Sequence, residues 1–241
     1  MKSALLVLLA ALFAGTAATA QDAALLAAEQ ARGILTGDQG VQWTVTVSGK
    51  KNAKFVAISQ GGKIFAEVIE PVDATGRRYL AESGGQMWFW KPGLSRPVSV
   101  SKRQRLSGDA AIGDIASTSF VDGYKVLGGE PGEVNGEAAT VYTMKANSPG
   151  DTYARIKYWV TTKEHLGKKA EFYSKSGTLL RSSTMTYQNT VQGRPFLSRM
   201  DIVDGGDTIT LTFGEVRIGS FPARLFTRDN LGGPKSTGPG R

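Results

Sequence analysis

The chain has 241 residues, a formal charge of +8, one histidine and no cysteine. The absence of cysteine excludes disulfides, thiolate metal sites and lipidation of an N-terminal cysteine, and one histidine cannot build a histidine-rich metal centre. The basic excess suits an anionic partner such as lipid headgroups, lipopolysaccharide or an acidic protein, or serves solubility alone; no nucleic-acid module is present, so nucleic acid is not an expected partner.

Residues 1–20 read as a signal peptide. Lys2 supplies the positive start, Leu5 to Phe13 a short apolar core, and Ala18-Thr19-Ala20 the small-residue cleavage pattern. That run is too short to span a bilayer and no later segment approaches the length, so the expectation is an exported chain, neither lipidated nor integral to a membrane. Residues 21–231 are expected to form one domain and residues 232–241, rich in Gly and Pro, a flexible tail.

Asp22 to Leu35 is predicted helical, capped by Asp22 and ended near Gly37. Strands follow. Trp43, Val45 and Val47 alternate with threonines and a serine. Lys54–Ser59 and Lys63–Ile69 flank Gln60-Gly61-Gly62, a hairpin signal, and Arg78–Glu82 and Gln86–Lys91 flank Ser83-Gly84-Gly85. Later strands are predicted over Ala139–Ala146, Arg155–Thr161, Lys168–Tyr173, Thr178–Tyr187, Phe196–Val203 and Thr208–Val216. Short turns between successive strands imply an antiparallel meander. Between them, Arg103 to Phe120 reads as a loop with one or two short helices, either a lid or a cover for one end of the sheet.

The run Met87-Trp88-Phe89-Trp90 carries the most information. In a strand, Met87 and Phe89 point one way and Trp88 and Trp90 the other, so both faces are apolar and both need cover, by protein or by ligand. Catalytic chemistry is hard to find. His165 sits in the turn-like Thr162-Lys163-Glu164-His165-Leu166-Gly167. Gly93-Leu94-Ser95-Arg96-Pro97 starts like a nucleophile elbow but has Pro at the position of the second Gly, and no phosphate-cradling or dinucleotide loop is present. An enzyme is therefore not expected, and neither is a cofactor or metal.

Taken together, Tyr79-Leu80, Gly85-Gln86-Met87-Trp88-Phe89-Trp90-Lys91-Pro92, Arg96, Gly113-Asp114 and Ser119-Phe120 resemble the LolA-like outer-membrane lipoprotein-sorting proteins. So do Tyr153-x-Arg155-Ile156-x-x-Trp159-Val160, Lys169-x-Glu171-Phe172-Tyr173 with Gly177 and Leu179-Leu180, and the late set Pro222, Phe226, Thr227 and Leu231. The resemblance covers nearly all of the chain after the signal, although Gly113-Asp114-Ile115 only partly matches the family loop.

The resemblance implies a mainly β fold with some α structure: a strongly curved antiparallel sheet, an unclosed β-barrel, with helices covering the concave side and a hollow for acyl chains. It implies a periplasmic carrier of an acylated lipoprotein or other lipid, working between an inner-membrane transporter and an outer-membrane acceptor. The alternative it leaves is a periplasmic sensor or adaptor that signals through a protein partner. On the carrier reading the acyl chains meet Trp88, Trp90 and Trp43 with Ile112, Ile115 and Phe120, while Arg96, Lys102, Arg103 and Arg105 form a basic rim for an anionic headgroup. Met87 and Phe89 are candidates for the same role, because the sequence does not say which face of their strand looks inward. An ordinary core is the competing account of all these side chains.

Overall fold

A computed structural model of the chain describes residues 23–34, 39–50, 52–82, 86–101, 119–121, 123–148 and 151–232. The expected signal peptide, the cap Asp22, Gly37, the turn Ser83-Gly84-Gly85 and most of the 103–120 segment lie outside the described residues, as do Lys102, Arg103, Arg105, Ile112 and Ile115 and the tail after Gly232.

Among the described residues one short α-helix, α1, covers residues 23–31. It ends four residues before the predicted Leu35 because Gly33 takes a left-handed φ of 88°. Ile34 N–H then reaches back to the Glu29 carbonyl and Gly33 N–H to that of Gln30, the pairing of a Schellman cap.

Among the described residues fifteen strands follow, and thirteen of them share one antiparallel sheet. The first six are β1 (Gly40–Ser48), β2 (Ala53–Gln60), β3 (Lys63–Glu70), β4 (Arg78–Glu82), β5 (Gln86–Trp90) and β6 (Val98–Ser99). Next come β7 (Tyr124–Val134), β8 (Glu137–Ala146), β9 (Arg155–Thr161), β10 (Gly167–Tyr173) and β11 (Leu179–Thr186). The last four are β12 (Asn189–Val191), β13 (Arg194–Phe196), β14 (Arg199–Asp204) and β15 (Asp207–Gly219). In space the order is β6-β5-β4-β3-β2-β1-β15-β14-β11-β10-β9-β8-β7, so two meanders meet where β1 pairs with β15, and β6 and β7 are the sheet's open edges. β12 and β13 form a separate hairpin.

Several strand assignments change, and β6 and β12 have no expected counterpart. Phe196–Val203 splits, because Phe196 closes the β12–β13 hairpin and the sheet strand starts at Arg199. The edge strand β7 has no counterpart among the expected strands, since Gly128, Gly129, Pro131 and Gly132 break its pattern. Pro131 is tolerated because an edge strand leaves one row of backbone groups unpaired.

The register sorts every side chain to one of two faces. On β1, Val41, Trp43, Val45 and Val47 share a face, and their partners carry it through Leu211, Met200, Met185 and Ala170 to Tyr158, Tyr142 and Met144. These residues are buried in one contiguous core together with Leu25 and Ala28 of α1, so this is the helix-bearing face. Full burial of each Val, Leu or Met side chain among them stabilises by about 1.5–3 kcal/mol. Gly167 fits this packing through its size: a Cβ there would overlap the phenol ring of Tyr158.

A second core lies on the opposite, outer face. Ile58, Phe65 and Leu80 are covered there by the C-terminal segment, whose 3-10 turns Ala223–Phe226 and Arg228–Gly232 supply Leu225, Phe226 and Leu231. No helix among the described residues is long and apolar enough to cross a membrane.

Candidate functional site

The β5 run resolves into two environments. β4 pairs with β5 so that Tyr79 faces Phe89, Ala81 faces Met87, Leu80 faces Trp88 and Arg78 faces Trp90. Carried through β3 and β2 to β1, this register puts Met87 and Phe89 on the helix-bearing face with Trp43. Trp88 and Trp90 fall on the outer face.

The expectation that Trp88 and Trp90 line the same hollow as Trp43 therefore meets a different arrangement. Both tryptophans pack against the C-terminal core. Trp88 Nε1 donates to Glu82 Oε2 at 2.8 Å and lies beneath the Arg228 guanidinium, 4.8 Å from its ring. Trp90 Nε1 donates to the Leu94 carbonyl at 2.9 Å. Arg78 fastens this layer: its Nε donates to Glu67 Oε2 at 3.1 Å, its Nη1 to the Leu231 carbonyl at 3.0 Å, and it lies 5.4 Å from the Trp90 ring.

On the helix-bearing face, Met87 is buried while Phe89 is half-buried. Phe89 is the end of an aromatic row: Tyr79 lies 5.1 Å from Phe89 and Phe55 lies 6.4 Å from Tyr79, ring centre to ring centre. Ala66 and Ala81 beside the row are also half-buried, and Val98, opposite Phe89 on β6, is 42% exposed. A cleft of about 370 Å³ opens next to the row, walled by Val47, Ala53, Phe55, Val68 and Tyr79 and rimmed by Asn52, Asp73 and Arg77. Such a surface, apolar with a few polar groups at the rim, can hold an apolar chain and meet a polar head. Phe55 and Tyr79 are absent from the sequence-based site. Their signal was present, since the hairpin expected around Ser83-Gly84-Gly85 sets Tyr79 opposite Phe89, the pairing that β4 and β5 make.

Trp43 and Phe120 belong to the sealed part of the same face. Trp43 is 2% exposed and meets Phe196 edge-on at 5.9 Å. Phe120 is fully buried between Tyr158 and Phe172, 5.2 and 5.3 Å from their ring centres. A buried ion pair at the C-terminal end of α1 secures Phe120. Glu29 accepts from Arg32 Nη1 at 2.5 Å, from Ser119 Oγ at 2.9 Å and from the Phe120 N–H at 2.8 Å, and the Arg32 guanidinium stacks 3.4 Å from the Phe120 ring. Burial pushes the nearby Tyr158 and Tyr187 hydroxyls well above their usual range. Of the expected basic rim, Arg96 is exposed in the loop between β5 and β6.

His165 is exposed in the β9–β10 turn with φ 54°, and Ser95 is exposed in the β5–β6 loop, which leads to a strand and not to a helix. Among the described residues no group of three or more His, Cys, Asp or Glu side chains is placed to hold a metal ion.

The fold has well-defined relatives. A LolA superfamily protein from Nitrosomonas europaea superposes with a TM-score of 0.69 at 26% identity, over 84% of this chain and 96% of that one. A DUF1329 family protein from Desulfovibrio piger gives 0.70 at 18% identity, over 87% and 98%. A domain from Vibrio parahaemolyticus named for outer-membrane lipoprotein sorting gives 0.66 at 19% identity, over 87% and 98%. The last two likenesses are of fold alone. No curated protein matches the sequence. A family model described as "Uncharacterized protein" matches residues 61–232, from the β2–β3 turn to the end of the C-terminal segment. The chain belongs to that family, and its fold is that of the LolA superfamily.

Proposed function

We propose that this protein is a non-enzymatic periplasmic carrier that holds the acyl chains of a lipoprotein or another lipid against the helix-bearing face of β2–β5 and passes its cargo toward the outer membrane. The observation that carries the reading is the half-buried row Phe55–Tyr79–Phe89, which extends a sealed core into an open apolar wall with a cleft beside it. The LolA superfamily fold supports it. Residues 21–231 act as one domain, exported by residues 1–20, with an inner-membrane transporter as donor and an outer-membrane acceptor.

On this reading the sheet is a curved, unclosed barrel with α1 on its concave side. Ten neighbouring strands, β3 through β7 in spatial order, contribute to one contiguous core. They would span about 40 Å if flat, against about 14 Å for a nine-residue helix. A strongly curled sheet brings the outer strands within reach of so short a helix. Each buried methylene of cargo contributes about 0.8 kcal/mol, so release of a long chain needs help from an acceptor.

The test is to purify the exported protein, extract it with organic solvent and identify bound lipid by mass spectrometry. Acylated species should co-purify with the parent and be lost from a Tyr79→Asp, Phe89→Asp variant. A parent that carries no lipid and takes up no fluorescent acyl probe sinks the carrier reading.

A further inference from the structure

We infer that the outer face of β7–β10 is a docking surface for an anionic lipid bilayer. It lies on the opposite side of the sheet from the aromatic row, so the inference does not depend on the cargo reading.

The register places three cations directly opposite one another on adjacent strands: Lys125 on β7 faces Lys145 on β8, which faces Arg155 on β9. All three are exposed. Like charges directly opposite across strands destabilise a sheet, and at a strand spacing of about 4.8 Å they lie inside the screening length of physiological salt, about 8 Å. The next row adds Lys157, between Thr143 and Glu171, and the row after adds Lys169, beside Trp159.

Three carboxylates share this face, and Glu137, at the far end of β8, pairs with Lys168 at 3.4 Å. Glu171 is taken up by Lys169 at 2.7 Å and by the hydroxyl of Tyr173 at 2.5 Å. Burial opposes its charge, but those two hydrogen bonds and nearby Lys157 hold it below its ordinary range. Glu130 lies two rows away from Lys125 along β7. The row Lys125, Lys145 and Arg155 has no ion-pair partner among the described residues. The sheet therefore holds an uncompensated positive row that its own fold does not need.

Shape favours a bilayer over an acidic protein. Protein interfaces have an apolar centre depleted in charge and a polar rim. Here the cations cross the ends of three adjacent strands in one row, and the aromatic side chains, half-buried Trp159 and Tyr173, stand among them, Tyr173 directly opposite Arg155. Lys169 lies 4.4 Å from the Trp159 ring, so that ring presents one apolar body among cations, as side chains do at headgroup depth. Leu127, left 55% exposed at the bulge between Val126 and Gly128, adds an apolar contact beside the row.

The experiment is co-sedimentation of the full exported chain with vesicles of phosphatidylglycerol and phosphatidylcholine, and with vesicles of phosphatidylcholine alone. The parent should bind the anionic vesicles only and be released by high salt. A Lys125→Gln, Lys145→Gln, Arg155→Gln variant should bind about a hundredfold more weakly, each cation near an anionic surface being worth about a factor of five. A Lys163→Gln, Arg217→Gln, Arg224→Gln variant carries the same net charge and should bind like the parent. Removing the opposed charges should leave the melting temperature unchanged or higher, and the single Lys145→Gln change should alone weaken binding about fivefold. Three results would overturn the inference: no binding of the parent to anionic vesicles, equal loss in the two triple variants, or capture by soluble polyglutamate without capture by vesicles.

Discussion

Two regions of one sheet face, built from the same kinds of residue, end in opposite states. Under α1, the face formed by β1, β8–β11, β14 and β15 is closed: Trp43, Phe120, Tyr158 and Phe172 are all buried. Across β2–β5 the same face continues with Phe55, Tyr79 and Phe89, which stay half-buried. Hydrophobicity alone does not distinguish them. The difference is made by what lies over each region, and α1 with its Glu29–Arg32 pair is the cover of the first. The outer face of the second region repeats the lesson, because Trp88 and Trp90 stand on the same strand as Phe89 and have a cover of their own.

Changes in the closed region should cost stability, and changes in the open region should cost function. Glu29→Ala leaves the Arg32 charge buried without its carboxylate and frees Ser119 and Phe120, so urea unfolding should show a loss of about 3–5 kcal/mol. Gly167→Ala drives a methyl into the Tyr158 ring and should cost about 3 kcal/mol by the same measurement. Trp90→Ala removes an anchor of the outer cover and should cost about 2 kcal/mol while leaving retained lipid unchanged. Phe89→Ser, one residue away on the other face, should cost under about 1 kcal/mol yet strip the protein of co-purifying lipid. Should Trp90→Ala lose the lipid and Phe89→Ser keep it, the two faces have been assigned the wrong way round.

The smallest effect concerns pH. Hydrogen bonds from Arg199 hold the Asp201 carboxyl below its ordinary range, against the effect of partial burial. A carboxyl with a lower pKa in the folded state stabilises at pH above its unfolded value, and that contribution is lost as pH falls through the folded value. Asp201→Asn should therefore be slightly less stable than the parent at pH 7, with the difference closing toward pH 3 in a series of thermal melts.

Most strands were legible because their side chains alternate and their turns carry glycine. The β2–β3 hairpin turns on Gly61 and Gly62, both at positive φ. β7 was not legible from pattern because its glycines and proline erase the alternation, although Asn135-Gly136, which joins it to β8 with both residues at positive φ, is a strong hairpin signal. The C-terminal segment was seen only as a resemblance, and its packing over Trp88 and Trp90 depends on contacts more than 130 residues apart. Which face of β5 lies on the helix-bearing side was undecidable locally, since four apolar residues in a row carry no alternation. It takes the register of four consecutive hairpin pairs to settle it.

The seam between β1 and β15 has a consequence for how the chain is made. It joins positions about 170 residues apart, Val45 with Phe213, in the middle of the sheet. Until β15 has been synthesised, the first meander keeps a long, β-branched edge on β1, and that edge invites pairing with any other strand it meets. Contacts this distant in sequence form slowly. The emerging chain therefore has a window in which it is prone to self-association, and a holdase that masks β1 until β15 arrives should raise the yield of folded protein more than one that binds either sheet edge.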